Sequence, residues 1–184
     1  MDQTDADLAD LVARARAGSP EAFTALYQRL AGQVAGYLRS RGVPDVEDAT
    51  SEVFLAVFTG LGRFEGDGDR FRAWVFTIAH RRSVDRWRRA GRGPVLEPLD
   101  DAPPTIVPSA EDTALVALGD ERVRALLDLL SPDQRDVLLL RVVADLSLEQ
   151  VAAVLGKREG AVKALQHRAL ERLRRHLGGK AVSR

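Results

Sequence analysis

The chain has 184 residues, 27 of them Lys or Arg and 27 Asp or Glu, so the formal net charge is zero and points to no partner. Apolar residues make up 45%, enough for real cores, and the dominance of Ala, Leu and Arg favours helix. There is no cysteine, which excludes disulfides and thiolate metal sites, and no apolar run approaches the ~20 residues needed to cross a bilayer. The acidic start MDQTDADLAD lacks the basic lead and apolar middle of a signal peptide. A soluble cytoplasmic protein is expected.

Helical periodicity runs almost throughout, and no alternating strand pattern competes with it. The spacing predicts a first helix over 5–17, closed by Gly18. Ser19 and Pro20 open a second over 20–41, because Ser caps and Pro suits the first helical position. Phe23, Leu26, Tyr27, Leu30, Val34, Tyr37 and Leu38 form its apolar side. Gly42, Val43 and Pro44 break it, and a third helix follows over 45–61. The segment GRFEGDGD at 62–69 must be a loop. A fourth helix is expected over 70–90. Residues 91–108 hold five Pro and two Gly and turn acidic, which marks a flexible linker. Helices are expected at 110–130 and, after Ser131 and Pro132, at 133–144.

The last stretch, 148–177, reads as a helix-turn-helix. Ser147 and Gln150 make a capping box, and Gly156 supplies a left-handed turn. Val162 plugs the angle between the helices. Leu165, Ala169, Leu173 and Leu177 continue its face at helical spacing. Lys163, His167, Arg168, Arg174 and Arg175 fall elsewhere, as on a helix that packs on one side and enters a DNA major groove with the other. The predicted architecture is all-α: two small helical domains, 1–90 and 110–177, joined by a linker at 91–109, with a tail at 178–184.

Charge is polarised along the chain. Residues 80–92 carry six Arg against one Asp, 157–176 carry seven Lys or Arg against two Glu, and 97–112 carry five acidic residues and no basic one. In the fourth helix Phe76, Ala79, Ser83 and Trp87 share one face. Arg70, Thr77, Arg81 and Arg88 share another, with Trp74 on its edge. A basic stripe beside aromatic rings suits single-stranded or distorted nucleic acid. The Gly-rich loop before it, with Phe64, Glu65 and Asp67, suits a pocket for an extruded base. The third helix has Val46, Ala49, Val53 and Val57 on one side, and Phe54 and Phe58 on the next. That arc is wider than one core face requires and fits a partner surface. Nothing supports catalysis: His80, His167 and His176 have no carboxylate or Cys at ligand spacing, and no phosphate loop or nucleophile elbow is present. No cofactor and no metal are expected.

With these pieces in order, the chain resembles a bacterial RNA polymerase sigma factor of the extracytoplasmic-function (group IV, sigma-70) type. DVEDATSEVFLAVF resembles region 2.2, FRAWVFTIAHRRSVDRWRR regions 2.3 to 2.4, and LSPDQRDVLLLRVVADLSLEQVAAVLGKREGAVKALQHRALERLRRHL region 4. The resemblance implies a non-enzymatic factor that binds core polymerase at its largest-subunit clamp helices and flap, directs it to promoters and helps melt the −10 element. Asp48, Glu52, Phe54 and Val57 would contact polymerase. Phe64 and Asp67 would hold a flipped base, and Trp74, His80, Arg81, Arg82 and Arg88 would meet the −10 strand. Lys157, Arg158, Lys163, Ala164, His167 and Arg168 would meet the −35 duplex. The acidic linker would thread toward the RNA exit path. The family often uses an anti-sigma factor, a further expected partner, and no membrane insertion is implied. The family commonly has Asn where this chain has Arg81, which exchanges base reading for phosphate contact. It commonly has Ser-Arg-Leu at Ala164-Leu165-Gln166, which moves an apolar residue back by one and removes a polar −35 contact. The alternative is a helix-turn-helix repressor or activator acting without polymerase, in which the Arg and Trp helix has no natural role. A module that only sequesters a partner predicts no effect of neutralising Arg81 and Arg88.

Overall fold

The computed structural model describes the backbone of residues 3–89 and 114–181, with side chains over 7–89 and 121–178. The expected linker at 91–109, the start of the expected fifth helix and the last residues of the tail lie outside the described residues. Those described form α1 (Gln3–Arg16), α2 (Pro20–Ser40), α3 (Val46–Gly60), a short 3₁₀ turn (Leu61–Arg63), α4 (Gly68–Arg89), α5 (Ala114–Asp128), α6 (Pro132–Val142), α7 (Leu148–Leu155) and α8 (Glu159–Ala181). No strand occurs among the described residues.

The helix boundaries follow local chemistry. Ser19 opens α2 by accepting from the Ala22 N–H at 3.2 Å, with Pro20 at the first position. Ser131 and Ser147 open α6 and α7 through reciprocal capping boxes with Gln134 and Gln150. Each box satisfies two helix-end donors that would otherwise lack partners. α8 passes the expected end at Leu177 and runs through Gly178 to Ala181. A helix already nucleated propagates through Gly at a cost of about 1 kcal/mol, and no Pro stands there to stop it.

α2 is the spine of the first lobe. Ala22, Leu26, Leu30, Val34, Tyr37 and Leu38 are buried at three- or four-residue steps. They meet Leu8 and Val12 of α1, Ala49, Val53, Phe54 and Val57 of α3, and Phe71, Val75, Phe76 and Ala79 of α4. Tyr37 and Phe76 pack edge to face with centroids 5.7 Å apart. Tyr37, Phe71 and Phe76 are fully buried, and burying a side chain of this size stabilises by about 1.5–3 kcal/mol.

In the second lobe Val137 and Leu140 of α6, Val151 of α7 and Val162 of α8 close a small core. Leu130, Leu138 and Ala169 form a satellite cluster with Leu170 and Leu173. Leu177, expected on the same face, is 54% exposed, since the packed stripe ends a turn earlier.

The two lobes are not separate bodies. One buried cluster runs through both. α4 packs against α7, and α2 touches α6. Arg41, just after α2, makes a buried ion pair with Asp136 of α6, and the Gln150 side-chain amide donates to the Asp69 carbonyl at 3.2 Å.

Gly156 sits at φ 63° with open space where a Cβ would stand. Replacing it therefore costs backbone strain alone. Gly156→Val should lose about 1–2 kcal/mol and Gly156→Asn a few tenths, because Asn tolerates the left-handed region. Thermal unfolding of both variants checks the difference.

Candidate nucleic-acid interface

α4 carries the expected −10 residues, and its three faces meet different surroundings. Phe71, Val75, Phe76, Ala79 and Ser83 are buried. Arg70, Arg81 and Arg88 are exposed, as the sequence pattern places them, and Arg82 is half-buried. His80 lies between these faces. The buried Tyr37 hydroxyl lies 2.9 Å from the His80 Nδ1. Burial, helped by the positive charges of Arg41 and Arg81, pushes His80 down to about 4, while burial raises Tyr37 to about 12. At neutral pH the Tyr37 hydroxyl and an uncharged His80 ring therefore share a hydrogen bond that ties the ring to the core.

The Gly-rich loop behaves differently from its expectation. Phe64 is 8% exposed, stacks on Trp74 at 5.0 Å and meets Phe71 edge-on at 5.4 Å. Phe64 and Trp74 are brought together as packing partners. Arg63, Glu65 and Asp67 are the loop side chains that reach solvent. Asp67 caps α4, its carboxylate accepting from the Arg70 N–H at 2.9 Å. Two glycines shape this corner. A Cβ on Gly60 would stand 2.9 Å from the Trp74 ring, and one on Gly66, at φ 152°, would stand 2.9 Å from the Arg70 Cβ.

α3 divides the expected polymerase contacts. Asp48 and Glu52 face outward, and both hold Arg86 of α4, at 2.5 and 3.0 Å. Phe54 and Val57 are 4% and 1% exposed and pack inside the lobe. The apolar side chains that do reach the surface are Leu55 at 66% and Phe58 at 62%, with Tyr27 beside them at 40%. Phe58 leans edge-on against Phe23 at 4.9 Å, and Tyr27 against Phe54 at 4.7 Å. The missed signal was angular. At about 100° per residue Leu55 shares the face of Asp48 and Glu52, opposite the valine stripe.

The helix-turn-helix presents its basic face freely. Lys163, Ala164, His167 and Arg168 are exposed and, with Gly160, line a shallow concavity. Arg158 is exposed nearby, whereas Lys157 is half-buried and bonded to Asp133 at 2.8 Å. Leu165 packs against the core, and Gln166 keeps a buried Oε1 without a hydrogen-bond partner. Among the described residues no cluster of His, Asp or Glu could hold a metal, and no helix is long and apolar enough to cross a membrane.

Residues 23–93 match the model of sigma-70 region 2, and residues 120–173 that of sigma-70 region 4. The chain belongs to the extracytoplasmic-function group of the sigma-70 family. It is 34% identical to the sigma factor BldN of Streptomyces coelicolor over 96% of this chain and 68% of that one. It is 37% identical to SigD of Mycobacterium tuberculosis over 89% of this chain and 81% of that one. The structure of CnrH in complex with the cytosolic domain of CnrY superimposes with a TM-score of 0.70 at 29% identity, covering 95% of this chain and 99% of that one. The sigma factor is thus an RNA polymerase-binding, promoter-specific initiation factor. A regulator working without polymerase is not favoured, because region 2 has no place in it.

The depressed His80 makes this sigma factor acid-sensitive. The unfolded chain takes up a proton near the ordinary 6.5, the folded chain only near 4. Stability therefore falls as pH drops below about 6.5 and levels off near 4. Between pH 7 and pH 5 the loss from this group should be about 2 kcal/mol. Denaturant unfolding at both pH values, with His80→Asn removing that part of the dependence, is the check.

Proposed function

We propose that residues 1–90 hold the factor on core polymerase and engage the −10 element, that 110–177 read the −35 element and meet the flap, and that 91–109 connect them toward the RNA exit path. The factor acts in the cytoplasm and is not itself an enzyme; polymerase supplies the chemistry. The observation that carries this reading is the pair of long helices α4 and α8, each buried on one face and armed with exposed Arg or Lys on another. Arg70, Arg81 and Arg88 suit phosphates of the −10 strand, and Lys163, His167 and Arg168 suit a major groove. Most of the affinity then comes from counterion release and falls steeply with salt.

For polymerase, the surface of choice is Asp48, Glu52, Leu55 and Phe58. Phe54 and Val57 support it from beneath. An anti-sigma factor is a further partner. It is supported by the similarity to CnrH, which was captured with the cytosolic domain of another protein.

Run-off transcription with core polymerase on fragmented DNA from the source genome tests the whole reading; discrete new transcripts are expected only when the factor is added. Leu55→Ala combined with Phe58→Ala should weaken binding to core polymerase by about tenfold with little loss of stability, since both side chains are exposed. Fluorescence anisotropy against labelled factor measures this. Lys163→Ala should lower output from −35-dependent promoters and reduce the salt slope of binding by about one. Unchanged output would remove Lys163 from the interface.

A further inference from the structure

One glycine of the first lobe is small for a reason that its own backbone does not supply. Gly60 ends α3 with φ −88° and ψ −14°, ordinary right-handed backbone. Alanine is the better helix former at such a position. A Cβ there, however, would stand 2.9 and 3.2 Å from the Cζ2 and Cη2 atoms of Trp74. Unbonded carbon atoms settle about 3.5–4.0 Å apart, so one of the two groups would have to move. The missing side chain at Gly60 therefore answers to the indole ring that lies against it.

That ring is held on other sides as well. Phe64 stacks on it with centroids 5.0 Å apart and planes at 28°, and Phe71 meets it tilted at 5.8 Å. Both phenylalanines are buried. At the far side of Phe64 a Cβ on Gly66 would stand 3.0 Å from the Phe64 Cζ. Two bare stretches of backbone thus bracket a stacked pair of rings. Gly66, at φ 152°, is a glycine on backbone grounds alone. Gly60 has no such need.

The ring seated in this way borders the basic stripe of α4. Trp74 is half-buried, whereas Phe71 and Phe76 on the same helix are buried. At about 100° per residue it stands only about 20–40° around the helix from Arg70, Arg81 and Arg88, whose side chains are exposed. Arginines hold phosphates, and a ring beside them accepts an unstacked base. The depth of Trp74 then decides whether one strand can meet both.

We propose that Gly60 is a positioning residue for opening the −10 element: by leaving room for the indole it seats Trp74 on Phe64, at the depth where the ring and the arginine stripe engage one unpaired strand. Gly60 itself touches no nucleic acid. The inference rests on the −10 reading above.

The chain has two tryptophans, so Trp87→Phe leaves Trp74 as the only indole reporter. In that background Gly60→Ala should shift the emission of the full chain to longer wavelength, with unchanged helical circular dichroism. In complex with core polymerase, at a promoter located by run-off transcription, Gly60→Ala should lower the permanganate reactivity of unpaired −10 thymines about tenfold. Affinity for core polymerase should stay unchanged. Gly60→Ala combined with Trp74→Phe, whose smaller ring vacates the Cζ2 and Cη2 positions, should open as well as Trp74→Phe alone. Gly32→Ala, exposed and with nothing near the added Cβ, should change none of these readings. Unchanged emission, or full opening despite shifted emission, overturns the positioning role. So does an equal loss of polymerase affinity, which would put Gly60 with the polymerase surface instead. A double variant that opens far less than Trp74→Phe alone overturns it too. Failure of the unmutated factor to open any fragment overturns the −10 reading itself, and the proposal with it.

Discussion

Everything in the first lobe turns on burying the Tyr37 hydroxyl. A phenol sealed in an apolar core is costly unless its O–H finds a partner. His80 of α4 supplies that partner, at 2.9 Å, and pays no desolvation of charge because burial keeps its ring neutral. The bond joins the burial of Phe71, Val75, Phe76 and Ala79 in holding the inner face of α4 against α2. With Tyr37 and Phe76 locked edge to face, Arg70, Arg81 and Arg88 are left on the outer side. The polar contact between α2 and α4 and the apolar stripe beside it together leave the arginine face of α4 in solvent. Arg41 then lies over the same tyrosine ring, which ties the second lobe to the same node through Asp136.

Electrical neutrality hides a division of labour among the arginines. Arg86 is held by Asp48 and Glu52, Arg135 by Asp128, and Arg41 by Asp136. Arg141 donates to the Leu146 carbonyl and braces the turn between α6 and α7. These guanidiniums join elements. Their planar forks suit that work better than a lysine ammonium would. Arg81, Arg88 and Arg168 remain exposed. Only such solvated cations can release counterions from a nucleic acid, so the binding face is set by which basic residues the fold does not use.

Much of this was legible in the sequence because it is local. Serine caps, prolines at first helical positions and the left-handed Gly156 act within four residues, and the structure shows each one. Burial periodicity gave Leu26, Leu30, Val34, Tyr37 and Leu38 on the inner face of α2, but it also took in Tyr27, which is 40% exposed, and left out the buried Ala22. On α3 two adjacent apolar arcs compete, and periodicity shows that both are apolar but not which one a neighbouring helix covers; Phe54 and Val57 are polymerase contacts by resemblance alone, and both are buried, while the exposed Leu55 is named by neither reading. Phe64 shows a related limit: a loop aromatic reads alike in the sequence whether it stacks on a base or, as here, on Trp74. The junction of the lobes was out of reach. Arg41 and Asp136 are 95 residues apart, and nothing local in either pattern announces the other.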